Sequence, residues 1–151
     1  MALVYSQWSN CQTDRYLPGF DFVLFRGTPV SDLAIAVENQ DTARMEQLIK
    51  NSSLNVNYQE AKFGQSLLAL SVVDKKDLST FKLLTFGANP NLRAFDDSSP
   101  FLDACFNSSS LQDPRKILQI LIDHGAEVNT VQIDTTLDQF GNKKRFEASA
   151  L

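Results

Sequence analysis

Histidine and cysteine, the usual ligands of transition metals, are scarce in this 151-residue chain, which has one histidine and two cysteines. A zinc site needs about four closely spaced ligands, and neither Cys11 nor Cys105 has such neighbours in the sequence. A hydroxyl or thiol nucleophile needs a nearby base, and the single His124 supplies no such pattern. No GxGxxG phosphate loop is present either. We therefore expect no metal, no cofactor and no enzymatic activity.

Dense positive charge and long apolar runs are also missing. The chain has 14 Lys and Arg residues against 18 Asp and Glu, a formal net charge of −4 and a pI near 4.9. Its basic residues cluster only at Lys75–Lys76 and Lys143–Arg145, whereas nucleic-acid binding needs a dense positive face. No stretch approaches the roughly 18 consecutive apolar residues of a membrane-spanning helix. The sequence predicts neither a nucleic-acid partner nor a membrane span.

The N-terminus, MALVYSQWSNCQTD, resembles the end of a shortened bacterial lipoprotein signal. Its apolar part, Met1 to Tyr5, is shorter than the ~7–15 residues of an export signal and lacks a basic start. Two alternatives follow. Either Cys11 ends a truncated signal, which implies a bacterial envelope location, or Cys11 is an ordinary residue in a loose leader, which favours the cytoplasm for the chain as given. We favour the second.

A nine-residue phrase occurs twice, as LLTFGANPN at 83–91 and LIDHGAEVN at 121–129. Each copy ends an amphipathic run, DLSTFKLLTF or PRKILQILIDH, and a shorter apolar run precedes each of these. A third pair of runs, SDLAIAVEN and TARMEQLIKNSS, lies upstream, although the phrase itself is replaced there by SSLNVN. The closing residues Asn57, Asn91 and Asn129 are spaced 34 and 38 residues apart. This self-similarity predicts three helix pairs stacked in one direction.

The residues of the phrase have distinct local roles. Gly87 and Gly125 follow amphipathic helices, where a left-handed residue lets the chain turn and satisfies the last carbonyls. Asn91 and Asn129 can hydrogen-bond their own backbone and begin the turn that leads to the next unit. We therefore expect the phrase to end one helix pair and to lead to the next.

The starts of the helices carry signals of their own. Ser66 and Ser99 lie where an N-cap is wanted, and Pro100 suits the first helical position, which has no N–H bond to lose. Thr28-Pro29 gives the same signal one turn early, so the first helix of the first unit is expected to be a turn longer.

These features resemble the ankyrin repeat family, whose pattern runs GxTPLHxAAxxGHxxxVxxLLxxGAxxN. The resemblance implies an all-α solenoid of stacked antiparallel helix pairs with hairpin fingers. It places repeats at about 27–63, 64–97 and 98–134, after a leader and cap segment at 1–26. Residues 135–151 form a long finger and the start of a further repeat. Histidine is ordinary in the family at the position of His124, which gives that residue a structural role.

Stacking should supply the core, because no single unit can bury its apolar face. The segment FDFVLF, Phe20 to Phe25, is expected to cap the first unit, the alternative being a strand of an unrelated sheet. Cys105, in the run PFLDACF, is expected to be a small buried hydrophobe. The expected core residues are Leu33, Ala36, Leu48, Ile49, Leu68, Leu83, Leu84, Phe101, Ala104, Leu121 and Ile122.

Two segments depart from the repeat. The run NSSSLQDP at 107–114 is longer than the pattern requires and predicts a solvated loop. After Asn129 the chain reads TVQIDTTLDQFGNKKRFEASAL, in which FGN predicts the turn of an enlarged hairpin. Ser149 would then take the place of Ser66 and Ser99, at the start of a fourth repeat. The third unit would expose its stacking face, which either the long finger covers as a lid, through Ile133, Leu137 and Phe140, or a second copy covers in a dimer. We favour a sequence that is the N-terminal part of a longer array, and we expect self-association through this uncapped C-terminal repeat.

By resemblance, the function is binding of a protein partner through the finger tips and the ends of the first helices. Tyr58, Phe63 and Phe95 are aromatics on stretches expected to be solvated, which suits binding anchors, although Phe63 and Phe95 could instead fold onto a neighbouring finger. The alternative function is that of an envelope-tethered, lipoprotein-like structural or immunity-type protein. The expected contact residues are Tyr58, Lys62, Phe63, Lys75, Lys76, Arg93, Phe95, Asp96 and Asp97.

Overall fold

The computed structural model describes residues 19–106, 114–129, 131–137 and 143–149. A 3₁₀ helix, Phe22–Phe25, precedes the helices. The elements that follow it are α1 (Ser31–Glu38), α2 (Thr42–Asn51), α3 (Leu67–Val73), α4 (Asp77–Thr85), α5 (Pro100–Phe106), α6 (Pro114–Asp123), β1 (Val131–Leu137) and β2 (Lys143–Ser149). Each odd-numbered helix pairs with the next, and the three pairs stack in chain order. The predicted helix-pair solenoid is thereby confirmed.

The predicted caps are present. The Ser66 hydroxyl accepts from the N–H of Ala69 at 3.2 Å, and Ser99 does the same for Leu102 at 3.4 Å. Gly87 and Gly125 each adopt a φ of 87°, a left-handed conformation that costs an L side chain roughly 1–2 kcal/mol. These glycines allow α4 and α6 to end in tight turns.

The expectation of a longer first helix is wrong. α1 begins at Ser31, and the Thr28 hydroxyl donates to the carbonyl of Phe25 at 2.7 Å. Thr28 therefore closes the turn after the 3₁₀ helix instead of starting a helical turn of its own.

The 3₁₀ helix covers part of the first repeat. Phe22 and Phe25 are buried in the same core cluster as Leu33 of α1, and the Asp21 carboxylate caps the helix by accepting from Val23 N at 2.8 Å. The FDFVLF segment thus packs on the first repeat with its last four residues in a 3₁₀ helix, and the alternative of a strand is wrong.

Apolar side chains from all three helix pairs form one continuous core. The expectation fails at Ile122, which is 43% exposed, because helical spacing turns it away while the neighbouring Leu121 is fully buried. Leu48 and Ile49 are half-buried, and Met45 of the same helix is completely buried. Cys105 is also only half-buried, and burial raises the pKa of its thiol. The interior thus follows the predicted stacking, except that Ile122 is exposed and Met45 is an additional buried residue.

Polar groups also join the repeats. The buried Ser79 hydroxyl of α4 donates to the Val37 carbonyl of α1 at 2.7 Å, so it pairs a carbonyl near the end of that helix. At the surface, Glu46 forms ion pairs with Lys50 at 2.5 Å and with Lys82 of the next repeat at 2.7 Å. Both lysines hold the pKa of the Glu46 carboxyl at about 2.

The closing asparagines work differently from the expectation. Asn89, not Asn91, makes the local turn: its Oδ1 accepts from the N–H of Asn91 at 2.9 Å. The side chain of Asn57 binds the next repeat, where it donates to the Gly87 carbonyl at 3.2 Å and accepts from Asn89 N at 2.7 Å. The prediction that Asn91 bonds its own backbone is therefore wrong, because its side chain makes the equivalent bridge to the third repeat.

The enlarged finger forms an antiparallel hairpin. Its register pairs Val131 with Ser149 and Leu137 with Lys143. The same relation occurs on a smaller scale in the first finger, where an isolated bridge pairs Gln59 with Ser66. In both cases the first partner stands two residues after a closing asparagine, Asn57 or Asn129. The register therefore supports the alignment of Ser149 with Ser66. Strand β1 runs past residue 134, where the third repeat was expected to end.

Some sequence predictions lie outside the described residues. These are the leader with Cys11, the solvated loop at 107–113, the FGN turn at 140–142 and residues 150–151. Within the third repeat, Phe101, Ala104, Ile117 and Leu121 are buried and Ile120 is half-buried. Self-association through this repeat stays a prediction. None of the helices in the described ranges is long and apolar enough to cross a membrane.

Candidate protein-interaction surface

Finger one, residues 58–65, is held in shape by a buried carboxylate. Glu60 is 2% exposed, and its carboxylate accepts from the backbone N–H groups of Lys62, Phe63 and Gln65 at 2.6, 2.8 and 3.0 Å. Its own N–H donates to the Gln65 carbonyl at 3.0 Å. Hydrogen bonds to a charged acceptor are stronger than neutral ones, so Glu60 fixes the positions of Lys62 and Phe63.

Finger two, residues 92–98, is closed by backbone and side-chain bonds. Ala94 N donates to the Ser98 carbonyl at 3.0 Å, and the Asp96 carboxylate accepts from Ser98 N at 3.1 Å. Asp97 takes a left-handed φ of 63°, and its carbonyl accepts from the Arg93 guanidinium at 3.0 Å. Arg93 and Asp97 therefore help to shape this finger, and both side chains are exposed.

The two fingers are joined edge to edge. The N–H of Phe95 donates to the carbonyl of Phe63 at 2.9 Å. The amide of Gln59 lies between them and donates to the carbonyls of Gly64 at 2.6 Å and Arg93 at 2.7 Å. These bonds make fingers one and two a single rigid surface, because a displacement of either finger breaks the bonds to the other.

Phe95 lies against the neighbouring finger and still faces solvent. A Cβ added at Gly64, whose φ is 72°, would lie 2.6 Å from the Phe95 ring, so the ring packs directly on the glycine backbone. The Phe95 side chain is nevertheless 71% exposed. Both alternatives in the sequence analysis are therefore partly realised, since the ring folds onto finger one and presents most of its area to solvent.

A cavity of about 400 Å³ lies beside the joined fingers. The ammonium of Lys62 stands 5.2 Å from the centroid of the Phe63 ring, while a Cβ on Gly19 would lie 3.3 Å from the same ring. Four of the predicted contact residues, Lys62, Phe63, Phe95 and Asp96, line this cavity together with Gly19, Phe20 and Gln65. We call this the finger cavity.

Three predicted contact residues lie elsewhere. Tyr58 is half-buried against the core, with its ring 6.3 Å from that of Phe25 in an edge arrangement, so it packs instead of projecting from the finger tip. Lys75 and Lys76 lie between α3 and α4, where Lys75 has a left-handed φ of 55° and Lys76 precedes the first residue of α4. These two lysines do not line the finger cavity.

Several residues of the surface escaped sequence reasoning. Glu60 reads as an ordinary surface acid, because its burial depends on the loop that it organises. Gly19 precedes the segment expected to cap the first unit and Phe20 begins it, and both line the cavity. One signal for the contact between the fingers was available in the sequence. Gly64 directly follows Phe63, and a glycine in a loop permits close approach of an aromatic ring.

A buried acid in α5 lies close enough to finger two for the charge of Asp96 to affect its pKa. Asp103 is 7% exposed, and burial, reinforced by the charge of Asp96, raises the pKa of its carboxyl to about 7. The same side-chain position in the repeat is filled by apolar residues in the other two first helices, Ile35 and Leu70. Asp103 is therefore an acidic residue at a position that the other two repeats fill with apolar side chains.

A second, smaller cavity lies on the first repeat. It has a volume of about 230 Å³ and is lined by Asp32, Ile35, Ala36, Asn39, Asp41 and Arg44. Ile35 is 58% exposed there. Asn39, directly after α1, lines this cavity and not the finger cavity.

The described ranges contain no group of three or more His, Cys, Asp and Glu residues able to hold a metal ion. His124 is used structurally: its Nδ1 lies 2.8 Å from the carbonyl of Ile120, and its ring meets the edge of Phe81 with centroids 5.7 Å apart. These contacts agree with the structural role expected for it.

Among solved structures, the chain is similar to ankyrin repeat domains. It matches the human ASB11 ankyrin repeat domain at a TM-score of 0.52 and 21% identity, over 64% of this chain and 40% of that one. It matches the ankyrin repeat domain of Bcl-3, a member of the IkappaB protein family, at 0.56 and 21%, over 62% and 39%. It matches the ankyrin repeat protein EF0377 at 0.52 and 23%, over 65% and 46%.

These similarities confirm the fold that the repeated phrase predicted. The chain has the ankyrin repeat fold, and it spans less than half the length of each of the three structures. No protein-family model and no curated protein sequence matches it.

Proposed function

We propose that this chain is a non-enzymatic protein-interaction module that binds a protein partner through fingers one and two. The observation that carries the proposal is the coexistence of rigidity and exposure at Phe95. Its backbone and ring are fixed on finger one, and 71% of the side chain faces solvent. A fixed aromatic loses little conformational entropy on binding, which is the property of an interface anchor.

The neighbouring features support the same surface. The Glu60 carboxylate and the Gln59 amide hold both fingers before any partner arrives, so binding requires little rearrangement. The finger cavity gives a partner side chain a place to insert beside Phe95. Extended repeat arrays offer such surfaces to other proteins, and the similar solved structures are all ankyrin repeat domains.

The test is affinity capture of partners with quantitative mass spectrometry, comparing the parent chain with Phe95→Ala and Phe81→Ala. Phe81 is a matched control, because it is 51% exposed and lies on α4, away from the fingers. A genuine partner should be lost with Phe95→Ala, at a cost of about 1–2 kcal/mol or more, and retained with Phe81→Ala. A partner lost only with Phe81→Ala would place the interface on α4 and contradict the proposal.

A further inference from the structure

The finger cavity combines aromatic faces with a carboxylate. Phe20, Phe63 and Phe95 are among the residues that line it, and so is the acidic Asp96. A ring face attracts a cation through its quadrupole, and guanidinium groups also stack on flat rings. We propose that the finger cavity binds the positively charged side chain of an arginine or lysine on the protein partner. This inference rests on the proposed function and specifies the chemistry recognised at its centre.

The chain itself demonstrates the first part of this chemistry. The Lys62 ammonium stands over the Phe63 ring at 5.2 Å from its centroid, so one ring of the lining already takes a cation. The Lys62 side chain is exposed and long enough to swing into water. Lys62 is an internal occupant that the cation of the partner displaces.

Asp96 favours a cation over an uncharged anchor. After burial, the charge of Asp96 is the second cause of the raised pKa of the Asp103 carboxyl. A partner side chain that enters the cavity removes water from this carboxylate. An apolar anchor would remove that water and add no electrostatic attraction, whereas a cation adds one to the interactions that Asp96 already makes.

The overall charge agrees with this preference. The chain carries a formal net charge of −4, and Asp97 lies beside Asp96 on the exposed edge of finger two. A basic partner segment is therefore attracted to an acidic protein, and its cationic side chain binds in a cavity that contains a carboxylate and aromatic residues. Such complementarity raises the association rate and selects against acidic segments.

The experiment measures binding of short synthetic peptides by NMR titration of the Phe63 and Phe95 backbone amides. The peptides share a Gly/Ser frame and carry arginine, lysine, citrulline or norleucine at the centre. Arginine and lysine peptides should bind the parent chain at least about threefold more tightly than the citrulline and norleucine peptides, because only a cation gains the ring and carboxylate attractions. Equal or tighter binding of the norleucine peptide would overturn the inference.

Two variants separate a cation site from a general apolar one. Lys62→Met keeps the stem and removes the internal cation, so the arginine peptide should bind about two- to fivefold more tightly. Asp96→Asn should weaken it at least about threefold, while Asp32→Asn, away from the fingers, should leave it unchanged. Weaker binding by Lys62→Met would overturn the inference, because Lys62 would then contact the ligand. Thermal unfolding of each variant checks that the fold is retained.

The outcome is separable from that of the proposed function. If no peptide binds at millimolar concentration while partner capture still depends on Phe95, the cation site is refuted and the interaction surface stands. If partner capture does not depend on Phe95, the proposed function fails whatever the peptides do.

Discussion

The side chain of Asn91 connects the second repeat to Gly125 in the third. Its Nδ2 donates to the Gly125 carbonyl at 3.0 Å, and its Oδ1 accepts from the N–H of Glu127 at 2.8 Å. Asn57 makes the same pair of bonds one repeat earlier. One amide thus satisfies a carbonyl and an N–H of the next repeat at both steps, which an ionised aspartate of the same size cannot do because it has no donor.

Replacement of Asn91 should weaken the junction between the second and third repeats. Asn91→Ala removes two inter-repeat hydrogen bonds, each worth about 0.5–1.5 kcal/mol, so we expect a loss of about 1–3 kcal/mol in the free energy of unfolding. Asn89→Ala is the matched control, since its Oδ1 bonds Asn91 N within one turn. Urea denaturation measures both, and an equal effect of the two substitutions would show that the bridge adds nothing.

Glu60 should control the order of finger one. In Glu60→Gln an amide replaces a carboxylate that accepts three backbone N–H groups, and we expect a loss of about 2–4 kcal/mol in the free energy of unfolding. Hydrogen exchange of the Phe63 and Gln65 amides should accelerate more than exchange in α6. Glu38→Gln, at an exposed acid of α1, is the control. Unchanged exchange at Phe63 would refute the organising role of Glu60.

Replacement of Lys75 by glycine should make the protein more stable. Its φ of 55° costs an L residue roughly 1–2 kcal/mol, whereas glycine takes this conformation freely but loses more entropy on folding. We expect Lys75→Gly to raise the free energy of unfolding by about 0.5–1 kcal/mol. The control is Ala43→Gly in α2, which should lower it by about 1 kcal/mol. A destabilised Lys75→Gly protein would mean that the lysine side chain outweighs the strain.

Local signals explain what the sequence predicted well. The Ser66 hydroxyl accepts from a residue three positions away, and the turn at Gly87 depends on the φ of that residue alone. Both roles can therefore be predicted from a few neighbouring residues. The partner of Asn91 is Gly125, 34 positions away, and a local reading assigned the bond to its own backbone. The helix pairs were predictable because their caps and apolar spacing are local and repeated.

The candidate surface was only partly predictable for the same reason. Lys62, Phe63, Phe95 and Asp96 were found because aromatics and charges stand out on turns, but Tyr58 shares that signal and packs against Phe25. Whether such an aromatic packs or stays exposed depends on which elements, distant in sequence, lie next to it in the fold. Phe95 can lie on finger one only because Gly64 has no side chain, and the burial of Glu60 appears only once the loop around it is closed.

The stability of the protein should depend on pH through Asp103. Burial first, and then the charge of Asp96, raises the pKa of this carboxyl to about 7, above its value of about 3.9 in an unfolded chain. Between these two values the native carboxyl holds a proton that the unfolded one has released. Stability therefore falls as pH rises from about 4 to 7 and stays low above that range.

The size of this loss follows from the shift. A pKa shift of about three units corresponds to roughly 4 kcal/mol in the free energy of unfolding, as an upper value. Asp103→Asn should abolish the pH dependence between 4 and 7 and raise stability at neutral pH, since the amide stays uncharged. Glu46, whose carboxyl has its pKa lowered to about 2 by Lys50 and Lys82, acts in the opposite direction in a different window: its contribution is lost only below about pH 4.5. Glu46→Gln should therefore leave the slope between pH 5 and 7 unchanged. Urea denaturation at pH 5, 6 and 7 measures all three proteins, and a slope that persists in Asp103→Asn would assign it to another group.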